Sequence, residues 1–588
     1  MSKKITGKVF DYQLFKRLLL YIKKYRLHFY VATFTVIAGA ILTAVNPILL
    51  KTIVDSYISK KDANQLLNFS LLMLGVLILQ VLSQFLFIYF ANWLGQNIIK
   101  DIRTELFAHM LRFKMQYFNN TPVGKLVTRV VSDIETIASI FGQGLFMIIS
   151  DLLTMFVIMV VMVWMNWQLA LISFAALPLL IYATKVFQKA MKSAFNDVRT
   201  EVSNLNTFVQ ERVTGMKIVQ LFTREKIEYE AFKEINNRHK KAWIRAVWYN
   251  SIFFPIAEIL PWISLGFIVW YGGINVAIGG ATTTGEVIAF IMMGQALFRP
   301  LRQIADKFNT LQMGMVAADR VFKILDEDAR EIDEGELEAT SIDGEIVFDN
   351  VYFSYIKDEL VLKGISFEVN QGDTVAVVGA TGAGKSTIIN LLNRFYSIDS
   401  GQILIDNKSV DTYKLEFLRD NIAVVLQNVF LFSDTIYNNI TLNNKDITLE
   451  EVKEAAKVIG VHEFIMSLPN NYNYNVKERG GMLSVGQRQL ISFLRAYVSN
   501  PAILVLDEAT SSIDSQSEKL IQKATNKITK NRTSIVIAHR LATIKKADKI
   551  IVMDKGEIVE QGTHKELLKQ GGYYSKLYEI QFATAIAS

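Results

Sequence analysis

The 588-residue sequence predicts two parts of different class: an all-α membrane domain of six helices with long cytoplasmic helical extensions, then an α/β domain built around a glycine loop. Three observations carry this. The first half holds six long apolar stretches nearly free of charge. The chain is 51% hydrophobic with a mean hydropathy of +0.25, more apolar than an ordinary soluble protein and too long for one domain. In the second half, an apolar run at 374–378, glycines at 379, 382 and 384, and a second apolar run at 388–392 read as strand, loop and helix.

The first 26 residues carry Lys3, Lys4, Lys8, Lys16, Arg17, Lys23, Lys24 and Arg26 against a single acid, Asp11. The uncharged run at 27–50 that follows is too long for the core of a signal peptide, and no small-residue cleavage site closes it. It reads as a retained membrane helix. Further apolar stretches at 67–94, 141–165, 167–187, 251–271 and 287–298 complete six spans.

Charge between the spans sets their orientation. The connections after spans two and four carry Lys100, Arg103, Arg112, Lys114, Lys125 and Arg129, then Lys185, Lys189, Lys192, Arg199, Arg212, Lys217 and Arg224. The other connections are short and nearly bare of positive charge, so both termini and the two long connections are expected in the cytoplasm. The net charge of +7 then faces an anionic inner leaflet and forms no nucleic-acid groove. With no cysteine, disulfides and thiolate metal sites are excluded, which suits a reducing compartment.

Few glycines or prolines interrupt 92–117 and 126–140, so helix should continue roughly 35 to 40 Å past the membrane at 1.5 Å per residue. Each long connection is then a hairpin, its tip at 118–125 in the first case and 213–222 in the second. The tips are expected to dock into a cytoplasmic motor; the plainer reading is a surface turn. Two charges fall within the spans: Glu258, between Pro255 and Pro261, and Asp151. They are candidates for a pathway lining that takes cationic or zwitterionic amphiphiles, against interhelical pairing with groups such as Asn46, Gln80, Gln84 or Gln295.

Past Arg299 the hydropathy falls, and the acidic stretch 326–336 has linker composition. The expected organisation is an N-terminal segment at 1–26, a membrane domain at 27–325, a linker at 326–343, a nucleotide-binding domain at 344–580 and a tail at 581–588. Strands are expected at 346–348, 351–355, 365–369, 374–378, 503–506, 534–537 and 550–553, with helices between the later ones.

The loop of Gly379, Thr381, Gly382, Ala383, Gly384, Lys385, Ser386 and Thr387 fits a phosphate cradle. Glycines let backbone N–H groups turn inward, Lys385 reaches the outer phosphates, Ser386 offers a hydroxyl to Mg²⁺, and the helix adds its positive end. Asp507 and Glu508 end an apolar strand, where Asp507 would hold the Mg²⁺ shell and Glu508 would polarise the attacking water. Gln427 follows another strand and is a further Mg²⁺ candidate; His539 ends a third, within reach of a γ-phosphate. Leu483, Ser484, Val485, Gly486 and Gln487 open a helix with capping-box spacing, whose dipole could also face a phosphate.

Taken in order, Gly379 to Thr387, Gln427, Leu483 to Gln489, Asp507 with Glu508, Ser511 to Asp514 and His539 resemble the ATP-binding cassette (ABC) ATPase. Tyr355 matches that family's adenine-stacking aromatic, and Glu478, Arg479 and Gly480 its loop that links cassette to membrane domain. With six spans ahead of the cassette, residues 15–580 resemble a bacterial half-transporter of the multidrug and lipid exporter type, with the type IV fold. The resemblance implies Mg²⁺ and ATP, and a second chain, since each ATP would lie between one chain's P-loop and the other's signature at Leu483 to Gln487. It gives Glu508 and His539 catalytic roles and places Ser511 and Asp514 in the D-loop. Val485 stands where glycine is commonest and Lys477 where the subfamily often has glycine. A homodimer is expected, with a heterodimer as the alternative.

The function expected is ATP-driven export, or leaflet-to-leaflet flipping, of amphiphiles across the bacterial cytoplasmic membrane. An ATP-gated channel or regulatory subunit is the alternative, and within transporters a peptide exporter. Six spans on the chain argue against a soluble ATPase working on nucleic acid.

Overall fold

The computed structural model describes residues 12–339, 341–508, 515–538 and 541–586, and the chain divides into two compact units. The first comprises residues 1–112 and 121–328; the second comprises 113–120 and 329–588.

The first unit is all helix. A short amphipathic helix α1 (Tyr12–Ile22) precedes α2 (Arg26–Thr52) and α3 (Ala63–Met110). In the second unit lies α4 (Met115–Asn120); the first unit resumes with α5 (Val123–Thr128), α6 (Ile134–Ser139) and α7 (Phe146–Met165), joined without a break by two π-turns. Then come α8 (Trp167–Thr214), α9 (Met216–Leu221), α10 (Glu225–Ala277) and α11 (Thr284–Leu325). Side-chain caps fix the starts: Asp62 accepts from the Gln65 amide, Asn166 from those of Gln168 and Leu169, and Thr283 forms a capping box with Glu286. At 48, 48 and 53 residues, α3, α8 and α10 each exceed the ~20 residues that cross a hydrocarbon core, so the long extensions are real helix.

Two features of this unit depart from the sequence reading. Among the described residues five helical runs are long and apolar enough to cross a membrane, Tyr12–Ile58, Ala63–Met110, Val123–Met165, Trp167–Thr214 and Glu225–Ala277. The sixth expected span lies in α11, which carries Ala289, Phe290, Met293, Leu297 and Phe298 into the bundle interior. Packed against protein on that face, it has less need of a continuous apolar surface. The basic N-terminal stretch, read from charge alone, contains α1. Arg17 pairs with Asp326 at 2.7 Å and stacks 4.1 Å from the Phe322 ring, while Tyr21 donates to Glu105 at 2.8 Å.

A polar cluster ties the loop ends of α2, α7 and α11 together. Lys51 pairs with Glu286 at 2.7 Å, Asn166 donates to Thr282 at 3.3 Å, and Asp55 accepts from the Thr283 hydroxyl at 2.5 Å and the Gly285 amide at 2.7 Å. Gly285 is required there, since a Cβ would sit 2.6 Å from the Lys51 carbonyl oxygen.

The second unit holds two sheets. An antiparallel sheet of order β2-β1-β4-β5 contains β1 (Ile346–Ser354), β2 (Leu360–Val369), β4 (Ser400–Ile405) and β5 (Lys408–Ser409). The two strands expected before residue 356 are one strand, kinked where its register shifts between Phe348 and Val351, with Asn350 at φ 50°. The larger sheet runs β10-β9-β3-β8-β7-β6, using β3 (Thr374–Gly379), β6 (Ile422–Val425), β7 (Ile503–Glu508), β8 (Thr533–Ala538), β9 (Lys549–Asp554) and β10 (Glu557–Gly562). All neighbours are parallel except β9 and β10. Buried on both faces, its inner strands read as continuous apolar runs, and β3 sits centrally, aiming its C-terminal end at the glycine loop.

Glu286 is 7% exposed, so removing its cation strands a buried carboxylate. Lys51→Met is expected to destabilise the first unit by about 2 kcal/mol, and Lys51→Met/Glu286→Gln to recover most of that, since glutamine still accepts from the Thr283 amide. Thermal unfolding of the purified protein in detergent checks this; a double variant no more stable than the single one contradicts it.

Candidate functional site

Where β3 meets helix α12 (Lys385–Leu392), the chain turns through glycines with little alternative. A Cβ on Gly379 would lie 2.2 Å from the Met553 carbonyl oxygen of β9, and Gly384 caps α12 at φ 99°. The resulting loop folds around Lys385. Its Nζ donates to the carbonyls of Gly379 at 2.8 Å and Ala380 at 2.9 Å, and the residue is 7% exposed. Burial pulls this ammonium below the usual lysine range, and the Asp507 carboxylate pushes the other way. Thr381, Gly382 and Ser386 stay exposed at the mouth, while Ala383 and Thr387 are buried.

The remaining groups arrive from neighbouring strands. Asp507 and Glu508 end β7, in register with Ile537 and Ala538 of β8, so both stand at the sheet's C-terminal edge as expected. Gln427 is exposed in the bend after β6, the next strand over. His539, Ser511 and Asp514 lie outside the described residues. Oxygen ligands from Ser386, Gln427 and Asp507, together with the backbone amides at the start of α12, have the chemistry a hard divalent cation and a polyphosphate require.

Just past β1, the Tyr355 hydroxyl donates to Thr387 Oγ1 at 3.3 Å and accepts from Asn390 Nδ2 at 2.9 Å. Its ring meets Phe353 and Tyr396 edge-on at 4.8 and 5.0 Å. Thus the candidate adenine-stacking residue is joined directly to the phosphate-loop helix. Asn390 and Tyr396 escaped the sequence reading: neither carries a spacing signal, and only the fold brings them to Tyr355.

The signature segment begins the helix Val485–Val498, capped by Ser484. Both capping-box bonds form: the Gln487 amide donates to Ser484 Oγ at 3.2 Å, and Gln487 Oε1 accepts from the Ser484 amide at 2.9 Å. Leu483 and Gly486 are buried, and Val485 is 47% exposed. Among the described residues no hydrogen bond or ion pair joins Leu483–Gln487 to the glycine loop. In the preceding loop Lys477 adopts φ 60°, ψ −172°, a region natural only to glycine, and Arg479 adopts φ 53°.

The two membrane charges fare differently. Asp151 pairs with Lys307 of α11 and is not joined to the amide side chains considered for it. Asn46 and Gln80 bond to each other at 2.7 Å. Glu258 is exposed on α10.

Comparison with known proteins adds a family to this geometry. Residues 29–301 match the ABC transporter transmembrane region and residues 362–511 the ABC transporter family. Over 588 residues the chain is 35% identical to an uncharacterized ABC transporter ATP-binding protein of Bacillus subtilis, covering 100% of this chain and 97% of that one. It is 36% identical over 574 residues to a protein of the same organism provisionally named a multidrug export ATP-binding/permease protein, covering 96% and 99% of the two chains. An ATP-dependent lipid A-core flippase of Idiomarina loihiensis is 37% identical over 575 residues, covering 97% and 98%.

Lys385→Ala removes the one buried cation of the loop. ATP affinity, read by titrating the purified chain with a fluorescent ATP analogue, is expected to fall at least about tenfold, a loss of roughly 1.4 kcal/mol. Unchanged affinity would detach the loop from phosphate binding.

Proposed function

This chain belongs to the ABC exporter half-transporters, and we propose that two copies of it export lipophilic or amphiphilic compounds, or flip lipids between leaflets, by alternating access. It is a multi-pass membrane protein and a transport ATPase. The observation that carries the proposal is a phosphate cradle to which, among the described residues, no hydrogen bond or ion pair joins its own signature segment. A second chain supplies the missing wall, and fusion of the ATPase to membrane helices commits the energy to translocation.

Within the site, the loop amides and Lys385 hold the phosphates. Tyr355 stacks on adenine. Ser386, Gln427 and Asp507 would hold Mg²⁺, which when bound would neutralise charge on the phosphates. Glu508 orients water for attack on the γ-phosphate and takes its proton, the bond from the γ-phosphorus to the β–γ bridging oxygen breaks so that ADP leaves, and His539 steadies the phosphate released. From the partner, Ser484, Val485, Gly486 and Gln487 close over the nucleotide, and Ser511 and Asp514 line the dimer contact. ATP favours the closed pair and ADP does not, and that difference in affinity biases the membrane helices.

Residues 27–325 form the membrane domain, 326–343 the linker and 344–580 the ATPase, with both termini and the ATPase in the cytoplasm and the spans in the bacterial cytoplasmic membrane. The lysines and arginines at 100–129 and 185–224 support this orientation. A homodimer is the simplest assembly. The substrate class draws support from relatives named for lipid A-core flipping and multidrug export, and from the exposed apolar surface of α10 around Glu258.

Glu508→Gln is expected to keep ATP affinity while lowering turnover by about 10²-fold or more. Single-turnover phosphate release from the purified chain in lipid nanodiscs measures this. Release near the unaltered rate would remove Glu508 from the role given to it.

A further inference from the structure

One polar side chain of the first unit is buried with an acceptor left over. Asn46 lies on α2 next to Pro47 and is 6% exposed, and among the described residues no donor reaches its Oδ1. A short relay explains why that atom is the one left open. The Thr43 hydroxyl has a single proton and donates it to the Gly39 carbonyl at 2.7 Å, so Thr43 Oγ1 accepts from Gln80 Nε2 of α3 at 3.1 Å. This orients the Gln80 amide with Oε1 toward Asn46 Nδ2, which donates to it at 2.7 Å and leaves Asn46 Oδ1 as the end of the relay. Each bond polarises the next, which strengthens the acceptor at the end.

The backbone adds a second acceptor on the same turn. Pro47 has no N–H, so the Thr43 carbonyl loses its usual helical donor, and the helix can flex where that bond is missing. Room lies farther along this face of α2, where a Cβ on Gly39 would meet no neighbouring helix within 4 Å. Around it the surface is apolar: Ile37 and Ile41 of α2 and Val81 and Phe85 of α3 are all exposed. Two oxygen acceptors at the end of an apolar face suit a polar head that carries a hydrocarbon tail.

We propose that Asn46 Oδ1 and the Thr43 carbonyl form a recognition site for the hydrogen-bond donor of an amphiphile's head group, an ammonium N–H above all, an assignment that rests on the reading of this chain as an exporter of amphiphiles. An N⁺–H gains a charge-assisted bond here, away from competing water. A head group of equal charge without an N–H gains none, so the site selects by donor and not by charge. The relay holds Asn46 in place only while α2 and α3 keep this arrangement. A bound donor therefore favours that arrangement over others.

Three single-tailed amines of one charge test this: dodecylammonium, dodecyldimethylammonium and dodecyltrimethylammonium, the last without an N–H. Each is titrated calorimetrically into the full-length protein in nanodiscs at neutral pH, with empty nanodiscs subtracted. The first two are expected to bind at least about fivefold more tightly than the third, a step between the tertiary and the quaternary amine that differ by one methyl group. Asn46→Leu should bring all three within about twofold of one another. Equal affinity for the tertiary and quaternary amines in the parent, as when Asn46 holds only a water, no binding of any amine, or a step that persists in Asn46→Leu would overturn the site. The parent series decides by itself if the variant does not fold. The exporter reading fails separately, as dodecylammonium that binds with the expected step but is not moved by ATP in proteoliposomes.

Discussion

A buried ammonium at the start of a helix is the constraint around which the ATPase unit is arranged. Lys385 is the first residue of α12, so its charge adds to the positive end of the helix dipole in a place that water barely reaches. Among the described residues the Gly379 and Ala380 carbonyls and the Asp507 carboxylate offset it. A polyanion, as proposed above for ATP, would supply compensating charge at this end of the helix. Holding the ammonium there requires β3 in the middle of the large sheet, a loop tight enough to return its carbonyls, and a strand end at β7 that places Asp507 nearby.

Much of that arrangement was legible in the residues. Strand, glycine loop and helix follow one another at 374–392, with glycines at 379, 382 and 384 marking the turn between them, and the parallel strands announce themselves as unbroken apolar runs. The membrane half was legible for the same reason, since lipid-facing helices need apolar residues on every side. Legibility failed where a contact partner decides the structure. The spans before α11 expose wide apolar surfaces, whereas α11 is screened by its neighbours, so composition alone marks it less clearly. The helical character of 12–22 emerges from the partners of Arg17 and Tyr21, which are 309 and 84 residues away in the chain.

The side-chain pairs show the same limit more sharply. Asp151 could have paired with any polar group at its depth, and Lys307, 156 residues on, takes it. Burial of an unpaired carboxylate costs more than the pairing returns, so some partner was required, but spacing in a single sequence does not name one. Tyr355 and Tyr396 illustrate the opposite case. Each is legible as an aromatic in a strand or loop, yet their edge-on contact follows from the bulge in β1 and the turn before β4, neither of which has a signature in composition.

The two residues that depart from the exporter pattern differ in what they demand of the fold. Val485 occupies an ordinary helical position behind a complete capping box, and nearly half its surface is exposed, so the backbone has no need of glycine there. Any consequence of the valine lies in what approaches its exposed face. Lys477 is the reverse. At φ 60° and ψ −172° a residue with a Cβ is strained by about 1–3 kcal/mol, and Arg479 two residues later is left-handed as well. Such strain persists only where surrounding contacts hold it, and here Val476 bonds to the Asp434 carbonyl on one side while Arg488 grips the Gly480 and Leu483 carbonyls on the other. The loop between them is thus clamped at both ends and strained in the middle, which keeps Lys477, Glu478 and Arg479 exposed in a fixed presentation immediately ahead of the signature helix.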